Sequence, residues 1–334
     1  MTGPRALARD LIRIFRPLFG ATIMLSVTRR CQCACARCAV SGGGASTGPE
    51  LTGEEIKGLI TEAARLGARE ASFFGGEPLL RGDLPELIRF TRRSGLRASL
   101  TTNGLLLDGP AAAGLAEAGL NLAGISLDDP EPESHDRERG VPGLWEKAAG
   151  AARNLVKLGV PVDISFCATK ERLRDGRAAK MAEIAAGLGA RLRLLSPMRA
   201  GRWDSNPDEV LTAEDRALLR ALLKPGKVHW VIGPVDNPAA VFVCSSFDRW
   251  KVDITAAGDV VPCTYFPVPF GNIRKEALLP IVKRLWASPM YREFRGAEDC
   301  PLNDPAFRSR QAALFPQAPA AQDGPHCGNS GDSI

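Results

Sequence analysis

Runs that read as strands alternate with runs that read as helices from residue 22 to residue 195, and this alternation narrows the fold more than any other feature. The strand runs are 22–28, 70–74, 98–102, 120–127, 161–167 and 192–195. The helical runs between them are 52–66, 84–94, 109–118, 144–158 and 174–188. Several carry apolar residues at three- and four-residue spacing, such as Leu59, Ile60, Ala63 and Ala64. Each ends on a glycine that stops a helix: Gly67, Gly95, Gly119, Gly159 and Gly189. Such alternation requires a parallel sheet with right-handed crossovers. An open doubly wound sheet and a partial (β/α) barrel both satisfy it. In either, functional residues gather beyond the carboxyl ends of the strands.

The strand ends carry polar or reactive residues in every case. Strand one runs into Cys31-Gln32-Cys33-Ala34-Cys35-Ala36-Arg37-Cys38, and strand two into Gly75-Gly76-Glu77-Pro78. Strands three to six end in Thr102-Asn103-Gly104, Ser126-Leu127-Asp128, Cys167-Ala168-Thr169 and Ser196-Pro197-Met198. Turn chemistry accounts for a glycine or asparagine at one such place. It does not account for six in register.

Four of the nine cysteines fall within eight residues, too crowded for separate disulfides, whose partners need defined separations. In a reducing compartment they read as metal ligands. Cys31, Cys35 and Cys38 have the spacing C-x3-C-x2-C. Three thiolates there hold three irons of a cubane cluster and leave the fourth open to a ligand. A zinc knuckle on Cys35 and Cys38 is the rival, but it lacks a second pair nearby and leaves 75–78 unexplained. Cys33 reads as a small buried filler, with ligand exchange or redox sensing as the alternative. With three histidines, an imidazole-rich zinc site or a serine–histidine hydrolase has little to draw on. The net charge of +5 is too mild for a nucleic-acid binder. No apolar run reaches membrane-spanning length, and four arginines interrupt the first 16 residues where a signal peptide would be apolar, so a cytoplasmic protein is expected.

The cysteine spacing followed in order by these strand ends resembles the radical S-adenosylmethionine (SAM) superfamily over about residues 22–300. The resemblance implies a partial (β/α)6 TIM-like barrel over 21–200 and a [4Fe–4S] cluster on Cys31, Cys35 and Cys38 that binds SAM. It implies SAM contacts from Gly75, Gly76, Glu77 and Pro78, from Asn103, and from Ser126 and Asp128. Where the family usually carries an aromatic before the third cysteine, this chain has Arg37, whose guanidinium can stack on the adenine instead. Reductive cleavage of SAM would give a 5′-deoxyadenosyl radical that takes hydrogen from a peptide or small-molecule substrate, with an electron donor such as flavodoxin or ferredoxin. Cys167 and Tyr265 read as lining, or alternatively as relays of a hydrogen atom or proton.

Cys244 and Cys263, with Gly258 between them and Gly271-Asn272-Ile273 after, resemble the start of a SPASM or twitch domain, which holds an auxiliary iron–sulfur cluster. That implies a small α+β domain over 201–315 and a second [4Fe–4S] cluster, with Cys300 as third ligand. Cys327, Asp304 and an open position compete for the fourth. The glutamate-to-glycine stretch from Glu133 through His135 and Arg139 to Gly140 is similar to members with such a domain. Residues 1–20 make an amphipathic helix, either docked on the barrel or, through residues 5–19, touching a membrane surface. Residues 316–334 read as a disordered tail. A lipid- or cofactor-pathway radical SAM enzyme and a metal-binding module without activity are the alternative functions.

Overall fold

A computed structural model describes residues 18, 20–40, 48–230, 244–295, 297 and 299–314. The N-terminal helix (Leu18 and Gly20 apart), the tail and Cys327 lie outside the described residues.

Six parallel strands form the barrel wall: β1 (Thr22–Thr28), β2 (Glu70–Gly75), β3 (Arg97–Thr102), β4 (Leu122–Ser126), β5 (Val162–Cys167) and β6 (Arg191–Leu195). The helices between them are α1 (Gly53–Arg65), α2 (Leu84–Arg93), α3 (Gly109–Glu117), α4 (Pro132–Arg139), α5 (Leu144–Lys157), α6 (Lys170–Arg174) and α7 (Arg177–Gly187). The five helix-stopping glycines all have positive φ, from 73° at Gly189 to 95° at Gly67, which a side chain would oppose. The sequence pattern places five of these helices to within three residues. It misses α4, whose only buried residue is His135 and which therefore shows no apolar stripe. It also misses the single turn of α6.

Beyond residue 200 the chain adds strands to both edges of the same sheet. β7 (Val228–Trp230) pairs in parallel with β6. At the other edge β8 (Lys251–Ile254) pairs in parallel with β1, bringing Lys251 opposite Thr22. β9 (Asp259–Val261) and β10 (Gly271–Asn272) continue it antiparallel. The order is β10-β9-β8-β1-β2-β3-β4-β5-β6-β7. The remaining helices are α8 (Ala213–Ala221), α9 (Leu278–Ala287), α10 (Met290–Glu293) and α11 (Pro305–Leu314).

The two faces of the sheet differ. Ile23, Leu25, Phe73, Leu100, Ile125, Ile164 and Leu194 point outward into the helix layer and are at most 2% exposed. With a period of two, the alternate positions face the lumen. There stand Ser72, Ser99, Gly124, Ser126, Ser165 and Arg193. A closed barrel fills its lumen with branched apolar side chains. This one carries small and charged polar groups among a few apolar ones such as Met24, Phe74 and Leu122, which suits a polar occupant.

Candidate active site

The loop after β1 is clamped from three directions, each time through backbone. From β2, Gly76 donates to the Thr28 carbonyl at 2.8 Å and Glu77 to the Arg30 carbonyl at 2.8 Å. A Cβ on Gly76 would lie 2.1 Å from the Arg30 oxygen, so only glycine permits this approach. From α4, the Arg139 and Glu138 carbonyls accept from Ala34 and Ala36 at 3.1 and 2.9 Å. From the turn after β6, Arg202 donates its backbone N–H to the Cys38 carbonyl at 3.1 Å and its guanidinium to the Cys35 carbonyl at 2.7 Å. Gly201 presses so close that a Cβ there would sit 2.3 Å from the Cys38 oxygen. Three segments, after β2, in α4 and after β6, thus hold the loop from Thr28 to Cys38.

Cys31, Cys35 and Cys38 are half-buried and in no disulfide, while Cys33 is buried. Cys33 shares its thiol hydrogen with Cys31 and Cys35, which lowers both of their pKa values. Cys35 falls to about 6, helped by the Arg139 guanidinium. Thiolates are the ligating form, so the loop favours metal. No three candidate side chains among the described residues stand close enough to share one metal ion. A cubane asks for one thiolate per iron rather than several on one ion, and three half-exposed thiols in a fixed loop suit it. Both atoms of the Gln32 amide and the Asn103 Nδ2 are buried without a partner beside this loop and the β3 end, donors and an acceptor for a polar cofactor.

Glu77 is fully buried and ties two strand ends together. Its carboxylate accepts from Thr102 Oγ1 at 2.7 Å, from the Asn103 N–H at 2.8 Å and from the Leu79 N–H at 3.1 Å. Burial raises its pKa. Pro78 opens the short turn Pro78–Leu80 that follows. Asp128 receives the Arg139 guanidinium, with Nε at 2.8 Å, and the Cys167 N–H at 3.3 Å. The Asp128 N–H donates to His135 Nδ1 at 3.1 Å. Ser126 lies half-buried in the lumen, opposite Ser165. Cys167 sits at the same rim, its thiol pushed up to about 12 by burial. Arg37 does stack, but on Trp203, 4.9 Å from the ring centroid, while bonding Glu138 at 2.8 Å. Glu138 in turn bonds Arg172. One face of the guanidinium therefore lies against Trp203. Sequence reading missed Arg202, Glu138 and Trp203. Only the Gly201-Arg202 pair inside an apparent loop could have signalled them.

The second cysteine set gathers beside β8 and β9. Cys244 responds to the charge of Cys263, and Cys300 to both, so the three thiols lie within electrostatic reach of one another. Burial raises all three, Cys244 to about 11. Lys251 Nζ lies 3.7 Å from Cys263 Sγ and 3.0 Å from Asp253. Tyr265 lies next to them, its hydroxyl raised to about 12 by burial. Tyr291 OH is buried without a partner in the same region, a donor for a cluster sulfide. Asp304 is exposed and caps α11, accepting the Ala306 N–H at 2.7 Å.

Comparison with known proteins identifies two domains in the chain. The radical SAM superfamily profile matches residues 25–187, and the SPASM profile, an iron–sulfur cluster-binding domain, matches residues 244–308. An Fe-coproporphyrin III synthase of Methanosarcina barkeri is 37% identical over 46% of this chain and 38% of its own length. An AdoMet-dependent heme synthase of Oleidesulfovibrio alaskensis is 35% identical over 83% of this chain and 77% of its own. A PqqA peptide cyclase of Streptomyces rochei is 28% identical over 83% and 78%. Among solved structures, Streptococcus suis SuiB bound to S-adenosylmethionine superposes with a TM-score of 0.65 at 15% identity, over 87% of this chain and 72% of that one. No helix among the described residues is long and apolar enough to cross a membrane. The two profiles imply a [4Fe–4S] cluster with SAM and an auxiliary cluster centre, and the chain belongs to the radical SAM superfamily, as an enzyme with a C-terminal SPASM domain.

Proposed function

We propose that the chain oxidises a peptide or small metabolite held in the barrel lumen, with Cys31, Cys35 and Cys38 holding the SAM cluster and Cys244, Cys263 and Cys300 the auxiliary one. The observation that carries this reading is the triply clamped loop of half-exposed thiols directly beside the Glu77–Asn103 strand-end pair. When bound, the cluster and SAM supply a 5′-deoxyadenosyl radical that takes a hydrogen atom from the substrate.

The chain's own groups position and shield. Glu77 Oε2 accepts from one N–H in the structure and keeps a lone pair for the SAM ammonium. Asn103 Nδ2 offers a donor beside it. Arg139 neutralises Asp128 and lies 3.8 Å from Cys35 Sγ, which stabilises a thiolate there. Lys251 does the same at Cys263, and a cation beside a ligand thiolate favours accepting an electron at that site. The peptide class is supported by the peptide cyclase relative and by the like-folded SuiB, which has been solved with its precursor peptide. A second reading, a cofactor-pathway enzyme acting on a tetrapyrrole, is favoured by the higher identity to the heme synthase.

The test is anaerobic reconstitution with SAM and dithionite, reading 5′-deoxyadenosine, iron and sulfide. The wild type should release deoxyadenosine. The C31A/C35A/C38A variant should release none while keeping about four irons. Zinc in place of iron, with no deoxyadenosine from the wild type, would sink the assignment.

A further inference from the structure

Arg193 is a lumen cation with no directly paired carboxylate among the described residues. Arg193 on β6 is half-buried among small polar groups. Its Nε and Nη2 donate to Ser165 Oγ at 3.1 and 2.5 Å, and no carboxylate among the described residues comes within 4.0 Å. The nearby acids are already engaged. Asp163 takes Arg191 at 2.7 Å and His229 at 3.5 Å. Asp253 takes Lys251 at 3.0 Å. Glu70 accepts from Ser99 at 2.7 Å and pairs with Arg97 at 3.7 Å. Asp163 and Glu70 act on Arg193 only through space, without a direct pair, and a charge partly withdrawn from water is costly without one, so the site favours an anionic occupant.

The wall is also shaped around this side chain. A Cβ on Gly124 would sit 2.6 Å from Arg193 Nη2, so the missing side chain on β4 is the space in which the guanidinium lies. Ser126, Ser165 and Arg193 form one cross-strand row. From the other side Tyr265, in the C-terminal segment, stands within electrostatic reach of Arg193. The guanidinium thus lies in the lumen between β4 and β5 on one side and the Tyr265 segment on the other.

Resting on the function proposed above, we infer that Arg193 is the receptor for a substrate carboxylate. Ser165 fixes the Nε–Nη2 side of the guanidinium, leaving the Nη1–Nη2 edge for a two-point bond to the two oxygens of a carboxylate. A carboxylate fits better than a phosphate. A phosphate dianion calls for a second cation, and Lys251 is held by Asp253. The substrate class is a molecule that carries a carboxyl group near the carbon that loses hydrogen, either a free acid or an acidic side chain of a peptide.

The test is equilibrium dialysis of glutarate against the anaerobically reconstituted full chain with SAM present. The wild type should bind glutarate and ignore its dimethyl ester. Arg193→Gln should weaken binding tenfold or more, the loss of one charge-assisted bidentate contact. Gly124→Ala keeps the charge but places a methyl where the guanidinium lies, and should weaken binding similarly, which covers the case of a misfolded Arg193→Gln. An acetylated, amidated tripeptide with central glutamate separates the sources: tighter binding than glutarate assigns the carboxylate to a peptide, weaker binding to a free acid. Equal glutarate binding by wild type and both variants, or phosphate competing as well as glutarate, overturns the receptor. Wild type that loads iron and releases deoxyadenosine yet binds no glutarate also overturns it, alone. Wild type that does neither overturns the cluster assignment on which it rests.

Discussion

The two cysteine sites are built on opposite principles. Around Cys31, Cys35 and Cys38 the contacts are backbone hydrogen bonds, glycines pressed on carbonyls and ion pairs, and the Cys35 thiol is acidic at about 6. Around Cys244, Cys263 and Cys300 the surroundings are aromatic. Phe247 packs on Tyr291 at 4.9 Å, and Phe294 on Phe307 at 4.7 Å. Burial drives those thiols upward instead. A site shaped by backbone resists changes of polarity and fails on a single added methyl. A site shaped by rings resists small local changes and fails when a ring is lost. The difference is testable because each kind of substitution should spare the other site.

The largest effect is expected from Gly76→Ala. The new methyl would meet the Arg30 carbonyl at 2.1 Å, and a backbone oxygen cannot swing aside. The cysteine loop must then move by the order of an ångström, which costs about 100-fold or more in deoxyadenosine formation. Iron analysis should show the first site depleted and the second retained. Gly201→Ala, which combines φ of 57° with a 2.3 Å approach to the Cys38 oxygen, should behave alike. Full activity in both would mean that the clamps do not hold the loop.

The converse substitution is Phe307→Ala. Phe307 is 0% exposed and touches Phe247, Phe266 and Phe294 with centroids at 5.6, 5.5 and 4.7 Å. Loss of such a ring costs about 3–5 kcal/mol. Denaturant unfolding should show it, with second-site iron falling before first-site iron. A loss under about 1 kcal/mol would mean that the aromatic cluster is not what supports the second site.

A third effect is confined to the first site and depends on pH. His135 is fully buried, and its pKa is lowered to about 4, chiefly by burial. Its Nδ1 must stay unprotonated to accept the Asp128 N–H. The unfolded chain binds this proton near pH 6.5 and the folded one only near 4. The contribution is therefore complete above about pH 6.5 and is lost as pH falls from there to about 4, by at most about 3 kcal/mol. His135→Phe should flatten the stability profile in that window. An unchanged slope would place the acid sensitivity elsewhere.

What the sequence revealed follows from which interactions are local. β1 is legible at Thr22–Thr28, and the helix ends are legible from their glycines, because period and turn chemistry act over a few residues. The partners were not. β8 lies more than 220 residues from β1, and nothing in its four residues, Lys251–Ile254, says which edge it will join. For the same reason the cysteine loop was legible but its clamps were not. α4 carries no apolar stripe, yet its last two carbonyls hold Ala34 and Ala36. The polar lumen was not legible, since Ser72, Ser99 and Ser165 acquire a common face only once the registers of β2, β3 and β5 are known.

The smallest expected effect concerns Arg37, between two of the first site's cysteines. Its guanidinium lies 4.9 Å from the Trp203 centroid and bonds Glu138 at 2.8 Å, with side-chain exposures of 29% and 14% for the pair. A partly exposed stack of this kind contributes about 0.5–1 kcal/mol. Arg37→Lys keeps the charge and loses the flat face, whereas Trp203→Leu keeps the apolar bulk and loses the ring. A double-mutant cycle on unfolding free energy should therefore give a coupling of about 0.5–1 kcal/mol. That result would make Arg37 part of the polar framework that distinguishes the first site. A coupling of zero, with weaker SAM binding in Arg37→Lys, would mean that the guanidinium leaves Trp203 when the cofactor arrives and that its face serves the adenine after all.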